Sequence, residues 1–163
     1  MKIIFIMPPS PQKRKIVRAI DCSFETKANY LWQPNDFMNI TSLLKPEDDV
    51  VFIDGTADSL SDDEFFIQVH NVKKGDLLFF ALSSVCFNSD LACFKKVREI
   101  FPDTPMFVIG DLFIEKEYRE SILHECDGIV YQPYQLDLEQ MKNIRSNPHP
   151  DIKGLCTKPD DSA

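Results

Sequence analysis

The sequence predicts an α/β protein with a three-layer, doubly wound and mostly parallel sheet of five strands. Short apolar runs rich in β-branched and aromatic residues recur along the chain, and segments with helical spacing separate them. The runs are continuously apolar rather than alternating, which is typical of parallel strands covered by helices on both faces. A chain of 163 residues has room for one such domain.

The strands and helices can be placed in chain order. The predicted strands are Lys2–Met7, Asp49–Asp54, Asp76–Ser83, Pro105–Gly110 and Gly128–Tyr131. The predicted helices are Asn35–Leu44, Ser61–His70, Asn88–Phe101, Ile114–His124 and Leu136–Ile144. The second helix begins with a capping box, Ser61-x-x-Glu64, and the third ends before Pro102. This alternation predicts βαβ units, and five strands fit the flavodoxin-like order 2-1-3-4-5.

Two segments exceed what a minimal fold of this type needs. Residues 8–34 form a long link between the first strand and its helix, and loops of that length are usually functional or disordered. Residues 146–163 contain little apolar surface and are predicted to be a linker or tail. The predicted domain therefore spans residues 1–145.

Composition and charge limit the classes of partner. Thirteen phenylalanines indicate a well-filled interior, and a net charge of −8 argues against nucleic acid as a partner. A local basic cluster is formed by Lys13, Arg14, Lys15 and Arg18. It is either a solvated loop or helix start, or a contact to phosphate.

The sequence also indicates the cellular location of the protein and the redox state of its cysteines. No apolar run approaches the roughly 20 residues that span a bilayer, and Met1–Met7 is too short for a signal peptide. The scattered cysteines do not form a disulfide framework or a CxxC pair, and Cys86 and Cys93 are expected to be small buried hydrophobes. We expect a cytoplasmic protein without membrane contacts.

The loop after the first strand excludes common phosphate-binding chemistry. It reads Met7-Pro8-Pro9-Ser10, without glycine, and proline has no N–H group with which to hold a phosphate. Neither a dinucleotide fingerprint nor a P-loop is present. A phosphoacceptor site would need an aspartate ending the third strand, where the sequence has Ser83-Ser84. Asp54 and Asp111 end other strands.

No catalytic or metal-binding set is predicted. His70 and His124 lie in the last turns of predicted helices, and His149 lies between two prolines. No nucleophile is expected near a histidine, so we interpret all of them as structural.

A series of short segments resembles one known family. They are Pro8-Pro9 after the first strand, Tyr30-Leu31-Trp32-Gln33-Pro34 before the first helix, Asp54, Ala81-Leu82-Ser83-Ser84, Val108-Ile109-Gly110 and Cys126-Asp127-Gly128-Ile129-Val130. Together they make residues 1–141 similar to the N-terminal cobalamin-binding domain of cobalamin-dependent radical SAM proteins. Residues 151–155 resemble the linker that precedes the catalytic barrel in that family.

The resemblance implies a cofactor site at the carboxyl edge of the sheet. In the family, small residues after strands three and four let the nucleotide tail of cobalamin slide against the sheet. The implied cofactor-binding residues are Pro8, Pro9, Trp32, Ser83, Ser84, Val85, Gly110, Asp111 and Gln132. For some of them an alternative stays open: Ser83 as a helix-entry residue, Gly110 as a turn residue, and Trp32 as a packing residue rather than a lid.

The chain also departs from the family pattern. The Asp-x-His-x-x-Gly element that supplies a cobalt ligand is absent, as in many radical SAM members. Gly110-Asp111 replaces paired glycines, and Gln132-Pro133-Tyr134-Gln135 replaces Gly-Glu-x-Glu. The Cys-x3-Cys-x2-Cys element is missing, so the chain cannot perform radical SAM chemistry alone.

Three functions remain open from the sequence. The first is a cobalamin-binding module that serves a radical SAM catalytic domain, in cis or in trans, for methyl transfer. The second is a degenerate flavodoxin-like module without cofactor that acts in protein–protein interaction or regulation. The third is an unrecognised enzyme or receiver-like regulator with Asp54 or Asp111 as its site.

Overall fold

The computed structural model describes residues 1–11, 16, 18, 33–147 and 151–157. Its strands are β1 (Lys2–Met7), β2 (Asp49–Asp54), β3 (Leu77–Ala81), β4 (Met106–Ile109), β5 (Gly128–Val130) and β6 (Leu155–Cys156). Its α-helices are α1 (Asn35–Thr41), α2 (Asp62–Asn71), α3 (Phe87–Ile100), α4 (Lys116–Ile122) and α5 (Leu138–Lys142). Single 3₁₀ turns occupy Asp111–Ile114 and Pro133–Gln135.

The sheet confirms the predicted fold class. Its strand order is β2-β1-β3-β4-β5-β6, and β1 to β5 pair in parallel. The sequence did not predict β6, which pairs antiparallel with β5 and aligns Val130 with Leu155. Residues from the segment predicted as a linker or tail therefore supply one edge of the sheet.

The side chains of the central strands alternate between two apolar cores, one on each face of the sheet. In β1, Ile4 and Ile6 join the core beneath α2, α3 and α4, whereas Ile3, Phe5 and Met7 join the core beneath α1 and α5. All of these side chains are buried, because successive residues of a strand point to opposite faces and helices cover both faces. The continuous apolar pattern in the sequence is thus explained.

Helix ends follow the local sequence signals closely. Ser61 accepts a hydrogen bond from the Glu64 N–H group while the Glu64 carboxylate accepts from the Ser61 N–H group, which confirms the capping box. Helix α4 begins two residues later than predicted, at Lys116, because the chain first makes the 3₁₀ turn Asp111–Ile114.

The Asp127 carboxylate connects α3, β4 and the segment after α5. Its carboxylate accepts hydrogen bonds from Arg98 of α3 (2.6 Å), from the Met106 N–H group of β4 (2.8 Å) and from Arg145 beyond α5 (3.1 Å). Burial raises the pKa of Asp127, but the hydrogen bonds from Arg145, Met106 and Arg98 outweigh it, so the pKa lies below its ordinary value. Three segments distant in sequence therefore depend on one ionised group.

We expect Asp127→Asn to lower the free energy of unfolding at neutral pH by about 1–3 kcal/mol, since charge-assisted hydrogen bonds are lost. A carboxyl whose pKa is depressed in the folded state stabilises the fold above its unfolded pKa of about 3.9. That contribution disappears as the pH falls through the lower, folded pKa. Urea unfolding followed by circular dichroism should therefore show the difference between the two proteins narrowing in acid.

Asp103→Asn, at an exposed position in the turn before β4, is the matched control and should leave the unfolding free energy nearly unchanged. A gap between wild type and Asp127→Asn that stays constant from neutral pH to strong acid would contradict this role.

Candidate functional site

The candidate site lies at the carboxyl ends of the parallel strands. Strand β1 sits between β2 and β3, so chain connections leave it in opposite directions, and ligands of such sheets bind at this switch point. Pro8 and Pro9 follow β1, Ser83 follows β3, and Gly110 follows β4. The structure brings most of the residues predicted from the sequence to this edge.

A buried ion pair occupies the switch point. The Arg18 guanidinium donates to both carboxylate oxygens of Asp90 in the first turn of α3, from Nε at 3.1 Å and from Nη2 at 2.8 Å. Both side chains are fully inaccessible to solvent. Bidentate pairing of this kind fixes the relative orientation of two groups and is among the stronger polar contacts in proteins.

Every N–H donor of this guanidinium is used within the protein. Besides the two bonds to Asp90, Nη1 donates to Ser10 Oγ (3.1 Å) and Thr56 Oγ1 (2.6 Å), and Nη2 donates to the Pro9 carbonyl (3.3 Å). A guanidinium has five N–H bonds, so none is left for a ligand. Arg18 therefore cannot also bind a phosphate or a carboxylate from outside.

The two prolines explain why the loop after β1 receives a cation. Neither has an N–H group, so the loop offers carbonyl acceptors there and no donors. The Pro9 carbonyl accepts from Arg18, and the Pro8 carbonyl accepts from Thr56 Oγ1 at 3.0 Å. Ser10 Oγ lies 2.7 Å from Thr56 Oγ1 and completes the network. The sequence feature that excludes phosphate thus favours a guanidinium.

Ser83 is a turn residue rather than an open contact point. It is completely buried, and its hydroxyl donates to Asp90 Oδ2 at 2.8 Å and accepts from the Cys86 N–H group at 3.2 Å. Its own N–H group also donates to Asp90. Of the two alternatives for Ser83, these contacts favour the helix-entry role.

Gly110 is required by a close approach of two backbone segments. A Cβ atom at this position would lie 2.1 Å from the Leu82 carbonyl oxygen. The backbone of Gly110 is extended, with a φ of 171°, so the constraint is steric rather than conformational. The lack of a side chain at Gly110 therefore allows the chain after β3 to approach it closely.

The other predicted residues that the structure describes also lie just after the ends of β3, β4 and β5. Ser84 donates from its N–H group to Asp111 at 3.0 Å, and its hydroxyl also donates to Asp111, so the two side chains bridge the tips of β3 and β4. Val85 is half-buried in the turn before α3. Gln132 lies after β5, where its N–H group donates to the Gly154 carbonyl. Trp32 lies outside the described residues.

Two small cavities lie near this edge among the described residues. The first lies between the ends of β1, β3 and β4 and the start of α1, beside Met7 and Arg18, and has a volume of about 10 Å³. The second lies beside Pro9 and the start of α3, where Ser89 and Cys93 line it, and has a volume of about 130 Å³. Small-molecule sites usually measure roughly 300–1,000 Å³. Both cavities are below that range, and the cobalamin interpretation stays a prediction.

The aspartates considered for a receiver-like site have structural contacts. Asp54 accepts hydrogen bonds from the N–H groups of Ala57 (2.8 Å) and Thr56 (3.1 Å) in the turn after β2. Burial raises the pKa of Asp54, although these bonds oppose the shift. Among the described residues, no group of three or more histidine, cysteine, aspartate or glutamate side chains could hold a metal ion.

The thiol of Cys93 is a poor nucleophile. Cys86 is buried, as predicted, whereas Cys93 is half-buried on α3. Burial, reinforced by the charge of Asp90, raises the pKa of Cys93 to about 12. At neutral pH this thiol is almost entirely protonated.

Sequence reasoning missed both members of the ion pair. It placed Arg18 in a basic cluster that would be solvated or contact phosphate, and this was wrong for Arg18, whose side chain is buried and binds Asp90. An available signal was the combination of an acceptor-only Pro8-Pro9 loop with an aspartate at an inward position of α3. The sequence alone does not show that this loop and this aspartate lie close together, because their proximity depends on the strand order.

Comparisons with family models, with curated proteins and with solved structures found no match to this chain. Within the described ranges, every helix is too short or too polar to cross a lipid bilayer.

Replacing Arg18 tests the central ion pair. We expect Arg18→Met to lower the free energy of unfolding by about 3–5 kcal/mol, because Asp90 would be left as an uncompensated buried charge. Adding Asp90→Asn should recover part of that loss, since the remaining group is neutral. Chemical denaturation measures both values.

Lys96→Met on the exposed side of α3 is the control and should change the unfolding free energy by less than about 0.5 kcal/mol. An Arg18→Met protein as stable as this control would show that the pair does not hold the edge together.

Gly110→Ala should destabilise the fold by about 1–3 kcal/mol, because the added methyl group overlaps the Leu82 carbonyl. Ser84→Ala, at the neighbouring strand tip but exposed, should cost far less. Thermal unfolding of the two variants compares the effects directly. Equal stability of Gly110→Ala and wild type would mean that the strand tips can separate and leave a groove.

Proposed function

We propose that this chain is a flavodoxin-like module that works without a bound cofactor and acts by binding another protein. The saturation of the Arg18 guanidinium by groups of the chain itself carries the proposal. A side chain at the switch point with a free N–H donor can bind a ligand. A side chain whose N–H donors are all bonded within the protein stabilises the fold instead. The cytoplasmic location expected from the sequence belongs to the same proposal.

Side chains in the interior of the carboxyl edge contact one another, whereas exposed apolar side chains on the surface are available to bind a protein. The interior of the carboxyl edge is closed by charge pairing and by backbone contact at Gly110. Outside, the described chain exposes several large apolar side chains, with Ile114 at 69% and Tyr134 at 59%. Exposed apolar groups on an acidic protein are more useful for contact with a protein than with nucleic acid.

Cobalamin binding in support of a radical SAM domain is the competing function. It rests on the resemblance of short segments and on the predicted strand order, and it needs an open path beside Ser83 and Gly110. The Ser83 hydroxyl is bonded at 2.8 Å to Asp90, and Leu82 faces Gly110. These contacts are the reason we place the cofactor-free function first.

Equilibrium dialysis of the protein against hydroxocobalamin separates the two functions. We expect no retention, because the Arg18 donors at the switch point are all used and the two cavities found there among the described residues are small. The absorbance of the cobalamin inside and outside the chamber gives the bound fraction directly.

Ser84→Trp makes the result specific to this edge. Ser84 is exposed at the tip of β3, so a large side chain would cover the path of a nucleotide tail without entering the core. Ser121→Trp, at an exposed position near the end of α4, is the matched control. Stoichiometric retention by wild type and by Ser121→Trp, with loss in Ser84→Trp, would overturn the proposal in favour of cobalamin binding.

A further inference from the structure

Among the described residues, strand β2 forms one outer edge of the sheet and pairs with β1 alone. The Asp49 N–H group donates to the Met1 carbonyl on the β1 side, at 2.8 Å. Successive residues of a strand direct their N–H and C=O groups to opposite sides, so those of Val50 and Phe52 point away from β1. No hydrogen bond within the described chain uses these four groups. They are therefore available to a further strand.

The same two residues expose apolar side chains on one face of the sheet. Val50 is 41% exposed and Phe52 is 44% exposed. They lie two positions apart in a strand, so both side chains point to the same face. The Phe52 ring contacts the core through Phe37, edge-on with ring centroids 5.8 Å apart, and through Phe5 at 6.3 Å. Core contacts thus hold this ring in place while part of it stays open to a partner.

Strand β2 lacks features that usually prevent pairing at a sheet edge. Edge strands are commonly protected by proline, by a bulge or by being very short. Residues 49–54 contain no proline, and their register with β1 runs without interruption from Asp49 opposite Lys2 to Asp54 opposite Met7. At the other edge of the described sheet, β6 has only two residues. Of these two edges, β2 is the one that can accept a long partner strand.

The chain around β2 is acidic at both ends of the strand. Residues 47–58 include no basic residue and five acidic ones, which are Glu47, Asp48, Asp49, Asp54 and Asp58. Asp48 pairs with the N-terminal amine, and the other four have no ion-pair partner in the part of the chain that the structure describes. Of the lysines next to β2 in the sequence or in the sheet, Lys45 pairs with Glu139 at 3.5 Å, and Lys2 lies on β1, away from the free edge. A partner strand with basic ends complements this charge.

We infer that β2 is the docking edge for an extended, basic segment of a partner protein, which adds to the sheet as a further strand. The inference rests on the proposed function and names its surface and the chemistry of its partner. Only a peptide chain supplies N–H and C=O groups at the spacing that Val50 and Phe52 present, so nucleic acid and lipid do not match. A second copy of β2, in either strand orientation, would set its own acidic ends against Glu47, Asp49 and Asp58.

The test uses the synthetic peptide Lys-Lys-Val-Thr-Val-Thr-Lys-Lys, titrated into ¹⁵N-labelled protein. The amide signals of residues 49–54 should shift. Hydrogen exchange of the Val50 and Phe52 amides should slow about tenfold or more at saturation, because these groups become hydrogen-bonded. The amides of Val51 and Ile53 face β1 already, so their exchange should change little.

Two altered peptides separate backbone pairing from charge. Methyl groups on the four central amide nitrogens remove the donors and should weaken binding about tenfold or more. Glutamate in place of lysine should abolish the shifts. Raising salt to about 0.15 M should weaken binding of the lysine peptide, because exposed charges are then screened. These comparisons use the wild-type protein, so they do not depend on the folding of a variant.

Val50→Pro tests the contact from the side of the protein. Proline removes the outward N–H group of this residue and no bond to β1, and edge strands tolerate proline at such positions. Affinity for the lysine peptide should fall about tenfold or more. Val50→Thr keeps the N–H group and the branched shape, so this matched control should bind within about threefold of wild type. Circular dichroism of both variants checks that the fold is kept.

Four results would overturn the inference: no binding of the lysine peptide, unchanged exchange at Val50 and Phe52, equal binding of the methylated or the glutamate peptide, or equal affinity of the two Val50 variants. Self-association that Val50→Pro abolishes, seen by sedimentation velocity, would assign the edge to a second copy instead. Retention of hydroxocobalamin contradicts the proposed function, whereas loss of peptide binding without such retention contradicts only the docking edge.

Discussion

A guanidinium is stable inside a protein only when its charge is neutralised and its donors are all accepted, and Arg18 meets both conditions. Its partners come from distant parts of the chain: Ser10 after β1, Thr56 after β2 and Asp90 in α3. Asp90 in turn holds Ser83 after β3. The carboxyl edge of the sheet is therefore organised around one cation, and the other contacts there depend on its position.

Arg18 lies where ligands of doubly wound sheets usually bind. In such sheets the chain connections diverge at the switch point and leave an opening for a ligand. Here the Arg18 guanidinium lies at that point, with acceptors from Pro9 and Asp90. A buried ion pair does not guarantee net stabilisation, but it specifies one arrangement, because no other placement satisfies both charges.

The outer surface of the same edge carries exposed apolar and charged side chains. The connection after β4 combines an exposed isoleucine, a half-exposed tyrosine and two carboxylates on a rigid turn. Arg119, like Arg18, uses its guanidinium on groups of the chain itself and fixes a loop. The two arginines thus perform related tasks, since each guanidinium holds a loop of the chain in place.

Local patterns in the sequence determined the fold class. Continuous apolar runs predicted β1 and β2 to the residue, and the capping box at Ser61 predicted the start of α2. These features depend on neighbours in the chain, so local chemistry is sufficient to find them. The same patterns also predict where the strands end. They therefore placed the residues that follow the strands at the correct edge, namely Pro8, Pro9, Ser83 and Gly110.

Only the tertiary structure decided what those tip residues do. The pairing of Arg18 with Asp90 spans 72 positions, and the Gly110 contact with Leu82 depends on how closely β3 and β4 approach. Strand β6 escaped prediction because Leu155–Cys156 is too short to carry a pattern of its own and forms against an edge already present. Long-range contacts of this kind have no local signature, since their stabilising free energy appears only once the sheet has brought the partners together.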